Sequence, residues 1–330
     1  MPGQQGDRPE VVDLITAIER LRQSRVIAYY LDGQAIMSDG AMPTLFSQLK
    51  AVGRQPRIDL FVHSRGGVTV TAWRIVQAIR SFCDHFGVLV PYRAHSAATH
   101  VAMGADEIVM GPFSELGPVD PSRTHPLLPR GDDGKPVSVS VQDLKHAMEF
   151  IKREAGKKGL SGPGFATIVA ALFQQVHPLA VGAIEQSYEL AKLITRKVLS
   201  THMDPKAQKG DIERIANSLS DDFKEHTYQI GVQEAKRLGL KAQEAGDDLH
   251  DAIWALLEYY QGLERIPAPV QLPAGTGPPG QPPQPAQSQQ LLVTRVGHLD
   301  STARRADCQA FLRQAADGSL EVAGDRWVLL

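Results

Sequence analysis

The sequence has little that is typical of disulfide-linked or nucleic-acid-binding proteins. Its 330 residues include only two cysteines, Cys83 and Cys308, which lie far apart in the chain. They form neither a disulfide framework nor the close spacing of a zinc site, and the histidines are scattered. We therefore expect unreactive thiols and no metal or other cofactor. The net charge is −2, without a basic stripe, so no nucleic-acid partner is expected.

Long apolar runs are also missing. The N-terminal stretch "MPGQQGDRPEVVDLITAIERL" lacks the apolar core and the small-residue cleavage site of a signal peptide. No run approaches the ~20 apolar residues that a membrane-spanning helix needs. These absences predict a soluble, cytoplasmic protein that does not bind a membrane.

Short apolar runs alternate with helical periodicity in the first third of the chain. The runs predict buried strands at 25–31, 57–64, 87–92 and 106–111. The segments with helical spacing lie at 11–23, 41–52, 68–82 and 96–105. This alternation predicts an α/β fold with a parallel sheet flanked by helices.

The remaining sequence is less regular. Two long helical stretches are predicted near 140–155 and 179–201. Eight of the 22 prolines lie between Pro267 and Pro285, a composition typical of a linker. Three apolar stretches after it predict strands. The expected organisation is a domain with a helical extension, a Pro/Gly/Gln-rich linker and a small C-terminal β module, at 1–262, 263–290 and 291–330.

Two glycines, Gly66 and Gly67, follow the second predicted strand, in "FVHSRGGVTVTAW". Glycine permits positive φ and lets a ligand approach the backbone, and free amides at a helix start stabilise anions. A Gly-Gly turn can also be purely structural. It has neither the Gly-Lys-Ser/Thr of a P-loop nor a G-x-G-x-x-G fingerprint.

Ser96 follows the third predicted strand and precedes the small residues of "SAATHVAMGA". It is either a helix N-cap or a nucleophile with the Ala97 amide beside it. Two strand–helix junctions about 30 residues apart can meet at one edge of a parallel sheet. The Gly67 and Ala97 amides would then form an oxyanion hole around Ser96, with Gly66 binding the substrate.

Four segments together resemble the serine dehydrogenase proteinase family, which is related to signal peptide peptidase A and to the Clp proteolytic subunit. The segments are "HSRGG" (63–67), "PYRAHSAATHVAMGADEIVMG" (91–111), "LGPVDP" (116–121) and "EHTYQIGVQEAKRLGL" (225–240). The resemblance implies a Clp/crotonase-like fold and a serine hydrolase. It also implies Ser96 as the nucleophile and the Gly67 and Ala97 amides as the oxyanion hole.

Four positions depart from the family pattern. Arg65 stands where the family has proline, His95 where methionine is usual, and Ala98 where glycine is usual. Thr227 stands where the family has aspartate, the place of the acid in Clp-type triads. A complete Ser–His–Asp triad is therefore not predicted.

The base that would activate Ser96 is left open between several side chains. Lys145 borders the apolar stripe of a predicted helix, where burial would lower its pKa. His226 matches a histidine in the late family segment. Each could equally be structural. Further candidates are Lys135, His100 and His125, whereas Asp120 could orient the base or cap a turn.

The sequence favours a serine peptidase that forms an acyl-enzyme without ATP and assembles as a homo-oligomer. One alternative is a catalytically weak or inactive scaffold, which would use its C-terminal arm to bind a protein partner. Acyl-CoA chemistry on the same fold is a third alternative, but no nucleotide site is evident.

Overall fold

The computed structural model describes residues 7–123, 125–132, 134, 136–157, 162–223, 227–263, 268–270, 291–314 and 320–330. The α-helices are α1 (Asp7–Arg22), α2 (Met42–Val52), α3 (Thr69–Arg80), α4 (Ala97–Met103), α5 (Val141–Lys157), α6 (Pro163–Gln175), α7 (Pro178–Leu199), α8 (Lys209–Asn217), α9 (Val232–Leu238) and α10 (Asp247–Gly262). The strands are β1 (Arg25–Leu31), β2 (Gln55–His63), β3 (Cys83–Val90), β4 (Arg93–Ala94), β5 (Glu107–Met110), β6 (Glu115–Leu116), β7 (Ser122–Arg123), β8 (Val139–Ser140), β9 (Ala242–Glu244), β10 (Ala268–Val270), β11 (Leu291–Asp300), β12 (Ala306–Gln314) and β13 (Leu320–Leu329).

The main sheet has a parallel centre, as predicted for an α/β fold. Its strand order is β13-β12-β11-β1-β2-β3-β5-β9, and the strands from β1 to β9 run parallel. Strand β1 is an almost continuous apolar run because both of its faces are covered. Ile27 and Tyr29 face a core built with α2, α3, α4 and α7, whereas Val26 and Ala28 face α1 and α10.

The C-terminal strands differ from the prediction of a separate module. Strand β11 pairs antiparallel with β1, in a register that places Ala28 opposite Asp300, and β12 and β13 continue the same sheet. The buried Gln48 side chain donates to the Leu299 carbonyl and accepts from the Ser301 hydroxyl. These strands complete the sheet because they cover the free edge of β1, so they are not an independent arm.

The region between the parallel sheet and these strands was predicted only in part. The long helices α5 and α7 agree with the sequence periodicity, but α6 and α10 were not predicted. Most of the predicted linker lies outside the described residues. Three residues within it form β10, which pairs with β11. No single described helix is long and apolar enough to cross a membrane; α6 and α7 meet that test only as a pair, with a bend of 85° between them.

A row of short pairings runs beside the carboxyl ends of the parallel strands. Met37 pairs with Gly67, Ser64 with Ala94, and strand β4 with β6. Leu116 of β6 then pairs with Ile230. This row links the loops that follow β1, β2, β3 and β5, and it brings the two strand–helix turns of interest together.

Candidate active site

The turn after β2 and the turn before α4 are in direct contact. The Ser64 amide donates to the Arg93 carbonyl at 2.9 Å, and the His95 amide donates to the Ser64 carbonyl at 3.1 Å. A Cβ atom added to Gly66 would lie 2.8 Å from the Ser96 Cβ and 3.2 Å from the Ala97 nitrogen. The two junctions therefore meet at one edge of the sheet, and only a residue without a side chain fits between them.

Both glycines adopt backbone conformations that favour glycine. The φ angles are +107° at Gly66 and +151° at Gly67. The Met37 amide donates to the Gly66 carbonyl and the Val68 amide donates to the Met37 carbonyl, both at 2.8 Å. A side chain on Gly67 would overlap the main chain of Met37. The Gly-Gly pair is thus required by close packing as well as by φ.

Ser96 has a strained conformation and does not cap its helix. It precedes α4 with φ of +50° and ψ of −112°, and its side chain makes no capping hydrogen bond. A positive φ at a residue other than glycine costs free energy and is typical of functional sites. The N-cap interpretation of Ser96 therefore does not account for its hydroxyl.

Two amides beside Ser96 lack acceptors. Among the described residues, the structure shows no acceptor for the Gly67 amide or for the Ala97 amide. Ala97 is fully buried, and a buried amide without a partner costs free energy. An oxyanion hole uses backbone N–H groups that have no acceptor within the protein, and the assignment of the Gly67 and Ala97 amides to one stays a prediction.

His100 fixes the peptide between Ser96 and Ala97. The Ser96 carbonyl lies 3.1 Å from the His100 amide and 3.2 Å from its Nδ1, and His100 Nε2 lies 3.1 Å from the Thr195 hydroxyl of α7. Burial lowers the pKa of His100 to about 4, so the ring is neutral. Because the C=O and N–H of one peptide point in opposite directions, holding the carbonyl also orients the Ala97 amide. His100 thus orients the peptide beside Ser96, and both of its ring nitrogens already have partners.

His95 and Glu115 support the Ser96 turn from the other side. His95 Nε2 lies 3.0 Å from a Glu115 carboxylate oxygen, which also accepts from Arg93 Nε at 2.9 Å. The Glu115 side chain is nearly buried, and the His95 ring packs against Gly117. A methionine could not make the polar contact, so this departure from the family pattern has a local purpose.

Lys145 does not have the lowered pKa that the sequence suggested. Its Nζ lies 3.1 Å from both the Tyr188 hydroxyl and Asp221 Oδ1. Desolvation acts to lower the pKa of Lys145, but the hydrogen bonds to Tyr188 and Asp221 outweigh it and the pKa is raised. In this conformation Lys145 is held as an ammonium ion, which is the wrong form for a base.

Of the other candidate residues, two lie outside the described part of the chain and two lie within it. His226 and Lys135 lie outside the described residues, so their predicted roles stay predictions. His125 Nδ1 accepts from the Leu127 amide at 3.2 Å, and Asp120 is buried. Among the described residues, no three histidine, cysteine or carboxylate side chains are grouped so that they could hold a metal ion.

The sequence interpretation missed a cluster on α7 and the segment after α8. Lys192 Nζ donates to Asp221 Oδ2 at 2.9 Å, and both Lys192 and Lys145 lie over the Tyr188 ring. Desolvation raises the pKa of Asp221, but the hydrogen bonds from Tyr188 and the two lysines lower it by more. The pKa of Asp221 is therefore lowered to about 2. The i,i+4 spacing of Tyr188 and Lys192 was the signal available in the sequence.

The family comparison agrees with these motifs. Residues 11–127 match the family model for ClpP-like SDH-type serine proteinases. This part of the chain is therefore similar to that family. The match contains Gly66, Gly67 and Ser96, so the matched residues include both turns of the candidate site.

Proteins similar in sequence to this chain include two uncharacterized proteins of Methanocaldococcus jannaschii. MJ0137 is 25% identical over 229 residues, which are 67% of this chain and 67% of that protein. MJ1495 is 26% identical over 257 residues, or 74% of this chain and 75% of that protein.

Solved structures similar to the chain include two mutants of the 1510-N membrane-bound stomatin-specific protease. One, in complex with a substrate peptide, has a TM-score of 0.37 and 14% identity, and the match covers 64% of this chain and 72% of that chain. The other has a TM-score of 0.38 and 15% identity, with 69% and 81% covered.

Proposed function

We propose that this protein is a peptidase that forms an acyl-enzyme on Ser96, without ATP. The observation that carries the proposal is the conformation of Ser96: it has a strained φ of +50° and no capping bond, and the described residues provide no acceptor for the amide of the next residue, Ala97. The match of residues 11–127 to a family model for serine proteinases supports the same assignment.

The proposed reaction proceeds in two steps. The Ser96 Oγ attacks the carbonyl carbon of a peptide bond as its proton passes to a base, and the carbonyl oxygen becomes an oxyanion bound by the Gly67 and Ala97 amides. The C–N bond then breaks, and the leaving amine takes the proton. In the second step water attacks the ester, its proton passes to the base, and the acid product and Ser96 are released.

The proposal is tested with a fluorophosphonate probe and a set of fluorogenic peptides. We expect the probe to label Ser96 and Ser96→Ala to lose labelling and at least about 10⁴-fold in kcat, because no other group replaces the nucleophile. Ser81→Ala, which changes an exposed serine after α3, is the control and should keep wild-type kcat. Wild-type protein that neither labels nor cleaves peptides would favour a partner-binding scaffold instead.

The base is assigned with the same peptides. A catalytic base contributes about 10²- to 10⁴-fold to the rate, so its replacement by alanine should lower kcat by that factor. Lys145→Ala and His226→Ala are compared with Lys192→Ala, which removes the other lysine bound to Asp221. Equal small effects of the two lysine variants would exclude Lys145, and the large effect would then be expected at His226.

A further inference from the structure

Arg65 is an exposed cation at the edge of the candidate active site. It stands directly before the glycine turn, and the Gly66 backbone touches Ser96 and Ala97. Its guanidinium lies over the loop that follows β1, where a Cβ atom on Gly33 would be 3.4 Å from Arg65 Cζ. The backbone of Arg65 thus adjoins the turn that contacts Ser96, and its charge lies over the neighbouring loop after β1.

The charge of Arg65 is not neutralised by the protein. Within the described part of the chain, the structure pairs its guanidinium with no carboxylate, although it pairs Arg22 with Asp59 and Arg93 with Glu115. Arg65 differs from these two arginines because its N–H donors are available to a ligand. A guanidinium presents a planar set of N–H donors that matches a carboxylate.

The groups around Arg65 leave it as the uncompensated positive charge on this side of the site. His63, at the end of β2, has its pKa lowered to about 4, mainly by burial and further by the nearby Arg93, His95 and Arg65. Glu115 offsets the charge of Arg93, so the net unsatisfied positive charge is that of Arg65. A carboxylate entering the site would meet an attractive field there.

We propose that Arg65 determines specificity by binding a substrate carboxylate close to the scissile peptide bond. The carboxylate is either an Asp or Glu side chain or the free C-terminus of the substrate. This inference rests on the proposed peptidase function, because it concerns which peptides reach Ser96.

The test measures the charge preference of the full-length protein on matched peptides. One series carries Asp or Asn at each position next to the cleaved bond, and a second carries a free or an amidated C-terminus. We expect wild-type kcat/KM to be about three- to fivefold higher for the acidic member of one series, the size of an exposed ion pair. The series that shows the preference identifies the source of the carboxylate.

Variants of Arg65 then decide whether this residue causes the preference. Arg65→Gln should bring the acid-to-amide ratio of kcat/KM close to one, and Arg65→Glu should invert it. Arg54→Gln is the matched control. This exposed arginine precedes the first residue of β2, whereas Arg65 follows the last, and Arg54 pairs with Asp84. It should leave the ratio unchanged. High salt should weaken the wild-type preference, since exposed charges are screened.

Two results separate failure of the inference from failure of the function. If the wild type cleaves the neutral peptides but its ratio is one, or the ratio does not depend on Arg65, the inference is wrong and the peptidase assignment stands. If no peptide is cleaved and Ser96 does not label, both are wrong.

Discussion

Gly66→Ala should disable the candidate site by a direct steric effect. The added Cβ would lie 2.8 Å from the His95 carbonyl oxygen and 2.8 Å from the Ser96 Cβ. Non-bonded carbon atoms pack at about 3.5–4.0 Å, so the Ser96 turn would have to move by roughly 0.7 Å or more. A displacement of that size at reacting groups lowers rates by about 100-fold. We therefore expect kcat to fall by about two orders of magnitude.

The same substitution also destabilises the fold. Alanine at φ of +107° costs about 1–3 kcal/mol, and the contact with the Ser96 turn adds to it. Gly53→Ala is the control, because Gly53 has φ of +73° but no atom within 4 Å of the added Cβ. It should lose a similar amount of stability from the backbone alone and keep its activity.

The assay combines urea unfolding with the rate of probe labelling and peptide cleavage, under conditions in which both variants are folded. A folded Gly66→Ala protein with kcat within threefold of the wild type would refute the reasoning. So would a Gly53→Ala protein that lost activity as strongly, because the effect would then come from destabilisation and not from contact with Ser96.

Two further predictions concern stability. His63 and His100 have pKa values of about 4, lowered chiefly by burial, whereas unfolded histidines titrate near ~6.5. The unfolded chain therefore binds more protons between these values, and the free energy of unfolding should decrease as the pH falls from about 6.5 to about 4, by up to ~3 kcal/mol per histidine. The measurement is urea unfolding at several pH values across this range. A free energy of unfolding that did not change with pH would contradict the burial of the two histidines. Asp221→Asn leaves two lysines without their carboxylate and should cost about 1 kcal/mol in the same assay. Asp84→Asn, at the exposed Arg54 pair, should cost less than half of that; equal losses would show that the Asp221 cluster is no stronger than a surface pair.

The core of the fold was predictable because its pattern is local. Strand β1 was predicted with the bounds that the structure shows, since a buried parallel strand is a continuous apolar run. Helix α3 has a clear apolar face with Ala72, Ile75 and Ile79 buried. The regions that failed depend on distant partners. The C-terminal strands have an alternating pattern that fits a separate module as well as an extension of the main sheet, and only pairing with β1 distinguishes the two.

The candidate site was also predictable only in part. Glycine and serine at strand–helix junctions are readable from residue type and order, because such junctions share an edge of a parallel sheet. The partners of Lys145 could not be predicted from the sequence. Its pKa depends on Asp221 and Tyr188, which are 76 and 43 residues away in the chain. Sequence periodicity gave the helix of Lys145 but no information about the charges facing it.

The sequence by itself determined the α/β centre, the resemblance of its first part to a serine proteinase family and the two strand–helix junctions that hold the glycines and Ser96, because each depends on residue type and short-range order. Only the tertiary structure decided that the Ser96 hydroxyl caps nothing, that His100 holds the adjacent peptide, and that Arg65 has no acidic partner in the described chain. These properties depend on which atoms meet in space. Hydrogen bonds and charge neutralisation act over a few ångströms, and the residues that provide them are separated by as many as 95 positions in the chain.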